Sequence, residues 1–108
     1  MFIGDEQEVE LTMNYFTLAF DALKLFPEFR ARLVEEQKNE LKVWTDVIKE
    51  ARKKGEIRSA MLDTEIAQLF IFSSDGVAMH MVMSGKKIKE MVKPFMRLWD
   101  KLYEQIKA

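Results

Sequence analysis

Cysteine is absent from the 108 residues, which excludes disulfide scaffolds, thiolate zinc sites and cysteine nucleophiles. Histidine occurs once, as His80, too few for a metal site built on imidazoles. Two prolines and four glycines are too sparse for a loop-dominated chain, and no Gly-rich phosphate cradle is present. A surplus of charge is also missing. Seventeen Lys and Arg face 18 Asp and Glu, for a net charge of −1, so no global field draws the chain onto nucleic acid. Met1, Phe2 and Ile3 are followed at once by Gly4, Asp5 and Glu6, without the basic start and apolar run of a signal peptide. The longest apolar segment, 66–83, contains Gln68, Ser73, Ser74, Asp75 and His80, too polar for an uninterrupted membrane span. A cytoplasmic chain with no membrane partner is the expectation.

Apolar residues make up 48% of the chain and charged residues 32%, the balance of an ordinary globular protein. The length suits one domain over 1–108 with a core that needs no staple. Eight Met, eight Phe and two Trp make the apolar part large and adaptable. Strand alternation is lacking, and helical spacing runs almost end to end.

The pattern predicts four helices. The first, 8–26, carries two apolar stripes, Val9/Met13/Phe16/Phe20/Leu23 and Leu11/Tyr15/Leu18/Ala22/Leu25, and so is expected to pack on both sides. Pro27 closes it and opens the second helix, 27–54. That helix presents Phe29, Leu33, Leu41, Trp44, Val47, Ile48 and Ala51 on one face, interrupted by Gln37. Arg52, Lys53 and Lys54 complement its negative end, and Gly55 fits a left-handed cap, with Ile57 available to fold back. After a loop over 56–62, Asp63 is the expected N-cap of the third helix, 63–83. This helix is apolar nearly all round, more than a monomer of this size covers, so a second subunit is expected. Ser84 and Gly85 end it. The fourth helix, 86–107, keeps its apolar phase across Pro94 and is read as one kinked helix.

The run from Trp44 to Gly76 carries a family likeness. Gly55-Glu56-Ile57-Arg58 ends a long helix, Asp63 follows a short loop, Ala67 lies early in the next helix, and Asp75-Gly76 lies near its middle. In these features the chain resembles the C-terminal domain of TetR-family transcriptional regulators. The resemblance implies an all-α, four-helix antiparallel bundle that senses a small effector and dimerises. In that family the last two helices pair with their two-fold mates into an intersubunit four-helix bundle. The family's helix-turn-helix domain has no counterpart ahead of the first helix, so the chain alone is expected not to contact DNA.

Candidate interface residues are Ser73, Gly76, Val77, His80 and Met83 on the third helix, and Met91, Phe95, Leu98, Trp99 and Leu102 on the fourth. Candidate effector contacts are Tyr15, Phe16 and Phe20 with Ala19 on the first helix, Trp44 and Ile48 on the second, and Phe72, Asp75, Met79 and Phe95 beyond. Aromatics and Met with a few polar groups suit a pocket for a small, largely apolar ligand, and aromatic stripes at helical spacing equally suit plain core. Asp75, a carboxylate in an apolar helix, needs a partner, either an Arg or Lys across the domain or a ligand donor. His80 reads as a half-buried, hydrogen-bonded interface residue, with ligand contact or proton sensing as the other role. Lys86, Lys87, Lys89 and Lys93 read as a solvated helix end. No nucleophile and base are brought together by spacing, so no catalysis, metal or cofactor is expected. The competing reading is a helical dimerisation module without a ligand, favoured by a solid core near Trp44 and Phe20.

Overall fold

A computed structural model describes residues 5–108, with side chains from residue 7 onward. The amino-terminal signal reading, on residues 1–4, lies outside them. The fold is all-α, with α1 Asp5–Leu25, α2 Pro27–Lys53, α3 Asp63–Ser84 and α4 Ile88–Ile106. Phe26 is extended at φ −128°, ψ 100°, as a residue before proline must be, and Pro27 starts α2 where no helical N–H is needed. Gly55 at φ 75° and Gly85 at φ 68° take the left-handed conformation that follows α2 and α3, which a side chain at either position would strain. Pro94 lies inside a single unbroken α4, whose apolar phase therefore serves one helix and not two.

The Gly55–Arg58 turn is stapled to the carboxyl end of α4. Ile57 and Lys107 form an antiparallel bridge. The Arg58 amide donates to the Ile106 carbonyl at 2.7 Å, and the Ala108 amide donates to the Glu56 carbonyl at 3.0 Å. This returns Ile57 and Ile106 to the core, 7% and 3% exposed. The opening of α3 differs from the sequence expectation. Leu62, extended at φ −67°, ψ 152°, holds the N-cap position, and Asp63 is the first helical residue. Glu65 accepts the Leu62 amide at 2.8 Å, the half of a capping box in which the third helical residue reaches back to the cap's own N–H; Leu62 has no side-chain acceptor to return it. Asp63 is engaged elsewhere, by Arg52.

Arg52, in the last turn of α2, organises the loop with its whole guanidinium. Nε donates to Asp63 Oδ1 at 2.8 Å, Nη1 to the Ser59 carbonyl at 2.9 Å, and Nη2 to the Met61 carbonyl at 2.9 Å. Arginine alone presents donors in such a fixed fork. Arg52→Ala is expected to cost about 2 kcal/mol, since two loop carbonyls and one half-buried carboxylate lose a charged donor. Arg52→Lys should recover only part of that. Urea unfolding of both variants checks this: a Lys variant as stable as the native chain would show that charge alone accounts for the effect, and an Ala variant as stable as the native chain would show that the three bonds contribute nothing.

The closed core sits where α2, α3 and α4 meet. Ile48, Ile57, Ile66, Phe70 and Ile106 form it, with Trp44, Ala51, Met61, Trp99 and Leu102 packed against it. The radius of gyration is 16.8 Å, against about 13 Å for a compact domain of this length. The accessible surface is 8546 Å², roughly 2,000 Å² above that of a compact monomer of the same mass. The apolar circumference of α3 is the sequence-level reason: of its 22 residues, only Ile66, Ala67, Phe70 and Ile71 are buried.

Candidate functional site: an open cleft and an uncovered helix face

Three helices surround a cleft. α1 turns into α2 at Phe26 and Pro27. Near its start, Val9 and Thr12 share a crevice with Met81 and Val82 of α3. There Glu8 also accepts the first amide of α4, from Ile88, at 2.8 Å. α2 in turn lies along α3, with Trp44 stacked on Phe70. Between these junctions opens a cleft of about 520 Å³, within the range of small-molecule sites. Tyr15 faces it from α1, Leu33 and Leu41 from α2, and Ile71, Phe72 and Asp75 from α3. Its polar lining adds Gln37 and Gln68 with Glu36, Glu40 and Lys38.

Of the candidate effector contacts, Tyr15, Phe72 and Asp75 come together on this cleft. Phe16 is half-buried beside it, edge-on to Tyr15 at 5.6 Å and 6.3 Å from Phe20 along the same helix. Ala19 and Met79 are half-buried, and Phe20 is exposed. Trp44 and Ile48 are placed differently. Ile48 is a core residue, and Trp44 stacks on Phe70 at 5.4 Å and meets Trp99 edge-on at 5.8 Å. Phe95 lies 4.7 Å from Trp99. Ring-on-ring contact fills the space that a ligand would need at Trp44 and Phe95, and the core itself fills it at Ile48.

Leu33, Leu41, Gln37 and Gln68 also face the cleft, and the sequence reading does not include them among the site residues. A signal for them existed: Gln37 interrupts the apolar stripe of α2, and Gln68 interrupts that of α3. A polar residue on an apolar face marks a wall that is neither core nor open surface. The expected cross-domain partner of Asp75 is missing. Among the described residues it makes no ion pair or hydrogen bond, and its side chain is exposed.

The second feature is the outer face of α3. Leu69, Phe72, Gly76, Met79 and Met83 recur at alternating spacings of three and four, the pattern of a helix–helix seam. Leu69 is 41% exposed, Phe72 64% and Met83 80%. A methyl group built on Gly76 would meet no atom within 4 Å. Apart from the half-buried Met79 the seam is exposed in the single chain, with its thinnest point at the centre. Leu98 on α4 is also exposed.

The other interface candidates divide. His80 is exposed rather than half-buried, and its carbonyl accepts the Ser84 hydroxyl at 2.8 Å. Ser73 accepts the Trp99 indole N–H at 2.9 Å and donates to the Phe70 carbonyl at 3.0 Å, so it joins α3 to α4 within the chain. Trp99 and Leu102 pack on the chain's own core, and Val77 and Met91 are half-buried.

α3 has the length and a mean hydropathy of 1.3 that a membrane-crossing helix requires, with 22% of that window buried. Ser73, Ser74, Asp75 and His80 lie within it, and this composition is compatible with a helix of a soluble protein. Among the described residues no cluster of His, Asp and Glu suits a metal ion. Comparison with protein-family models, with curated proteins and with solved structures returns no match.

Proposed function

We propose that the chain is the effector-sensing and dimerisation unit of a TetR-like transcriptional regulator, acting in the cytoplasm as a homodimer. The observation that carries this reading is the cleft between α1, α2 and α3, which gathers Tyr15, Phe72 and Asp75 around space for a small molecule. The bare seam of α3 and the excess surface support the second subunit. A partner burying 1,000 Å² or more per chain, as obligate dimers do, would account for about half or more of that excess. The Gly55–Arg58 turn and Asp63, which prompted the family resemblance, serve the fold and not the ligand.

The mechanism follows from how α1 is held. It borders the cleft through Tyr15, turns into α2 at Phe26–Pro27, and is tied to the start of α4 by Glu8. An occupant that contacts Tyr15 and Phe72 together favours one placement of α1 over others, by its difference in affinity for the two placements. In a full regulator that difference would be passed to a DNA-binding domain of another part of the protein; the chain itself carries no DNA-reading role, and no catalytic one.

One observation favours the competing reading of a dimerisation module without ligand: the interlocked rings of Trp44, Phe70 and Trp99 close the core at that end. Native mass spectrometry separates the two. A dimer that carries a retained small molecule, lost on unfolding, is the expected result. A dimer that stays bare after incubation with a broad metabolite extract would favour the module, and a monomer would overturn both.

A further inference from the structure

Resting on the cleft as the effector site, the charges on its walls point to the class of occupant: we infer that it takes an organic cation with an aromatic or branched apolar body. Glu36, Glu40 and Asp75 place three carboxylates on the lining, against a single ammonium, that of Lys38. Lys38 is itself 3.9 Å from Glu35, which lies off the cleft, so part of its charge is already answered. The lining is thus more negative than the chain as a whole, whose net charge is −1. Among the described residues no Arg or Lys forms an ion pair with Asp75, Glu36 or Glu40.

The apolar part of the cleft is arranged for the same kind of ligand. Tyr15 is 69% exposed and makes only an edge contact with Phe16, so its ring is accessible to an incoming group. Exposed aromatic faces attract cations through the ring quadrupole. Leu33, Leu41 and Ile71 supply the wall against which an apolar body loses water. Gln37 and Gln68 donate and accept equally and so do not oppose a cation. An anionic ligand would meet three carboxylates with one partly engaged lysine. A neutral hydrocarbon would gain nothing from those carboxylates. Charge complementarity therefore selects the cation.

Two probes of one shape and opposite charge test this on the full chain: tetraphenylphosphonium and tetraphenylborate, titrated calorimetrically. The phosphonium is expected to bind at least about tenfold tighter than the borate, with the gap narrowing as salt is raised. Asp75→Asn and Tyr15→Leu are surface changes that should leave thermal unfolding unaltered. Each is expected to weaken the phosphonium several-fold, and Asp75→Asn should leave the borate unchanged or tighter. Borate binding as tightly as phosphonium, in a Tyr15-dependent manner, would overturn the cation and leave the effector cleft standing. Phosphonium binding indifferent to both substitutions would overturn the assignment of the cation to this cleft. Failure of both probes to bind would overturn the cation and count against the effector reading itself.

Discussion

Phe70→Ala is expected to destabilise the chain by about 4 kcal/mol, the largest loss from any single truncation in the core. Phe70 is 7% exposed and lies in the core where α2, α3 and α4 converge. Its ring stacks on Trp44 of α2, with an interplanar angle of 11°, and meets Trp99 of α4 edge-on at 5.2 Å. Truncation removes the transfer free energy of the ring and leaves a cavity between two indoles. Neither indole is free to collapse into it. Trp99 is tied through its N–H to Ser73, and Trp44 is anchored one turn from the buried Ile48. Ordinary domains have only about 5–15 kcal/mol to lose, so the variant should sit near the edge of folding at physiological temperature. Phe70→Leu keeps most of the volume and should cost less than half as much. Urea unfolding followed by tryptophan fluorescence, at one fixed protein concentration, reads both. A loss below about 1 kcal/mol for the alanine variant would mean that this aromatic cluster does not hold the helices together.

That cluster also marks where sequence reasoning stopped. The four helices were legible because the apolar periodicity is strong and the stops are chemical: Pro27 after Phe26, Gly55 after three basic residues, Gly85 after Ser84. The opening of α3 was legible only in part. Asp63 has the chemistry of an N-cap, but a tertiary partner, Arg52, claims its carboxylate, the cap position falls on Leu62, and Glu65 accepts the Leu62 amide. The cleft was harder. Periodicity tells which residues of a helix turn inward, not whether the inward space is filled. Trp44 and Tyr15 are both inward aromatics in pattern. One found a facing ring at 5.4 Å, and the other borders the opening between α1, α2 and α3. Gln37 and Gln68 held the missing information, since polar groups interrupting an apolar stripe mark the boundary of a filled core.

Gly76→Glu is expected to raise the dimer dissociation constant at least a hundredfold, about 3 kcal/mol or more, while leaving the single chain folded. The proposed interface rests on the seam of Leu69, Phe72, Gly76, Met79 and Met83, whose centre is the residue without a side chain. Paired about a two-fold axis near that point, each chain would set its own introduced carboxylate against the other's, in a contact otherwise made of apolar groups. The single chain has no such conflict, because nothing lies within 4 Å of a methyl group placed on Gly76. Gly76→Ala sharpens the test. In an isolated helix the change stabilises by about 1 kcal/mol through helix propensity. Where two helices cross closely at the glycine, the added methyl groups hold the backbones apart, and the gain is offset by lost packing. Analytical ultracentrifugation and thermal unfolding together separate these. Dissociation of the Gly76→Glu variant alongside an unimproved Gly76→Ala variant places the glycine at a close crossing. An alanine variant that is both dimeric and more stable puts the crossing elsewhere on α3 or on α4 near Leu98. If the Gly76→Glu variant remains a dimer, the seam is not the interface, and the exposed apolar face of α3 must be covered by something other than a second copy.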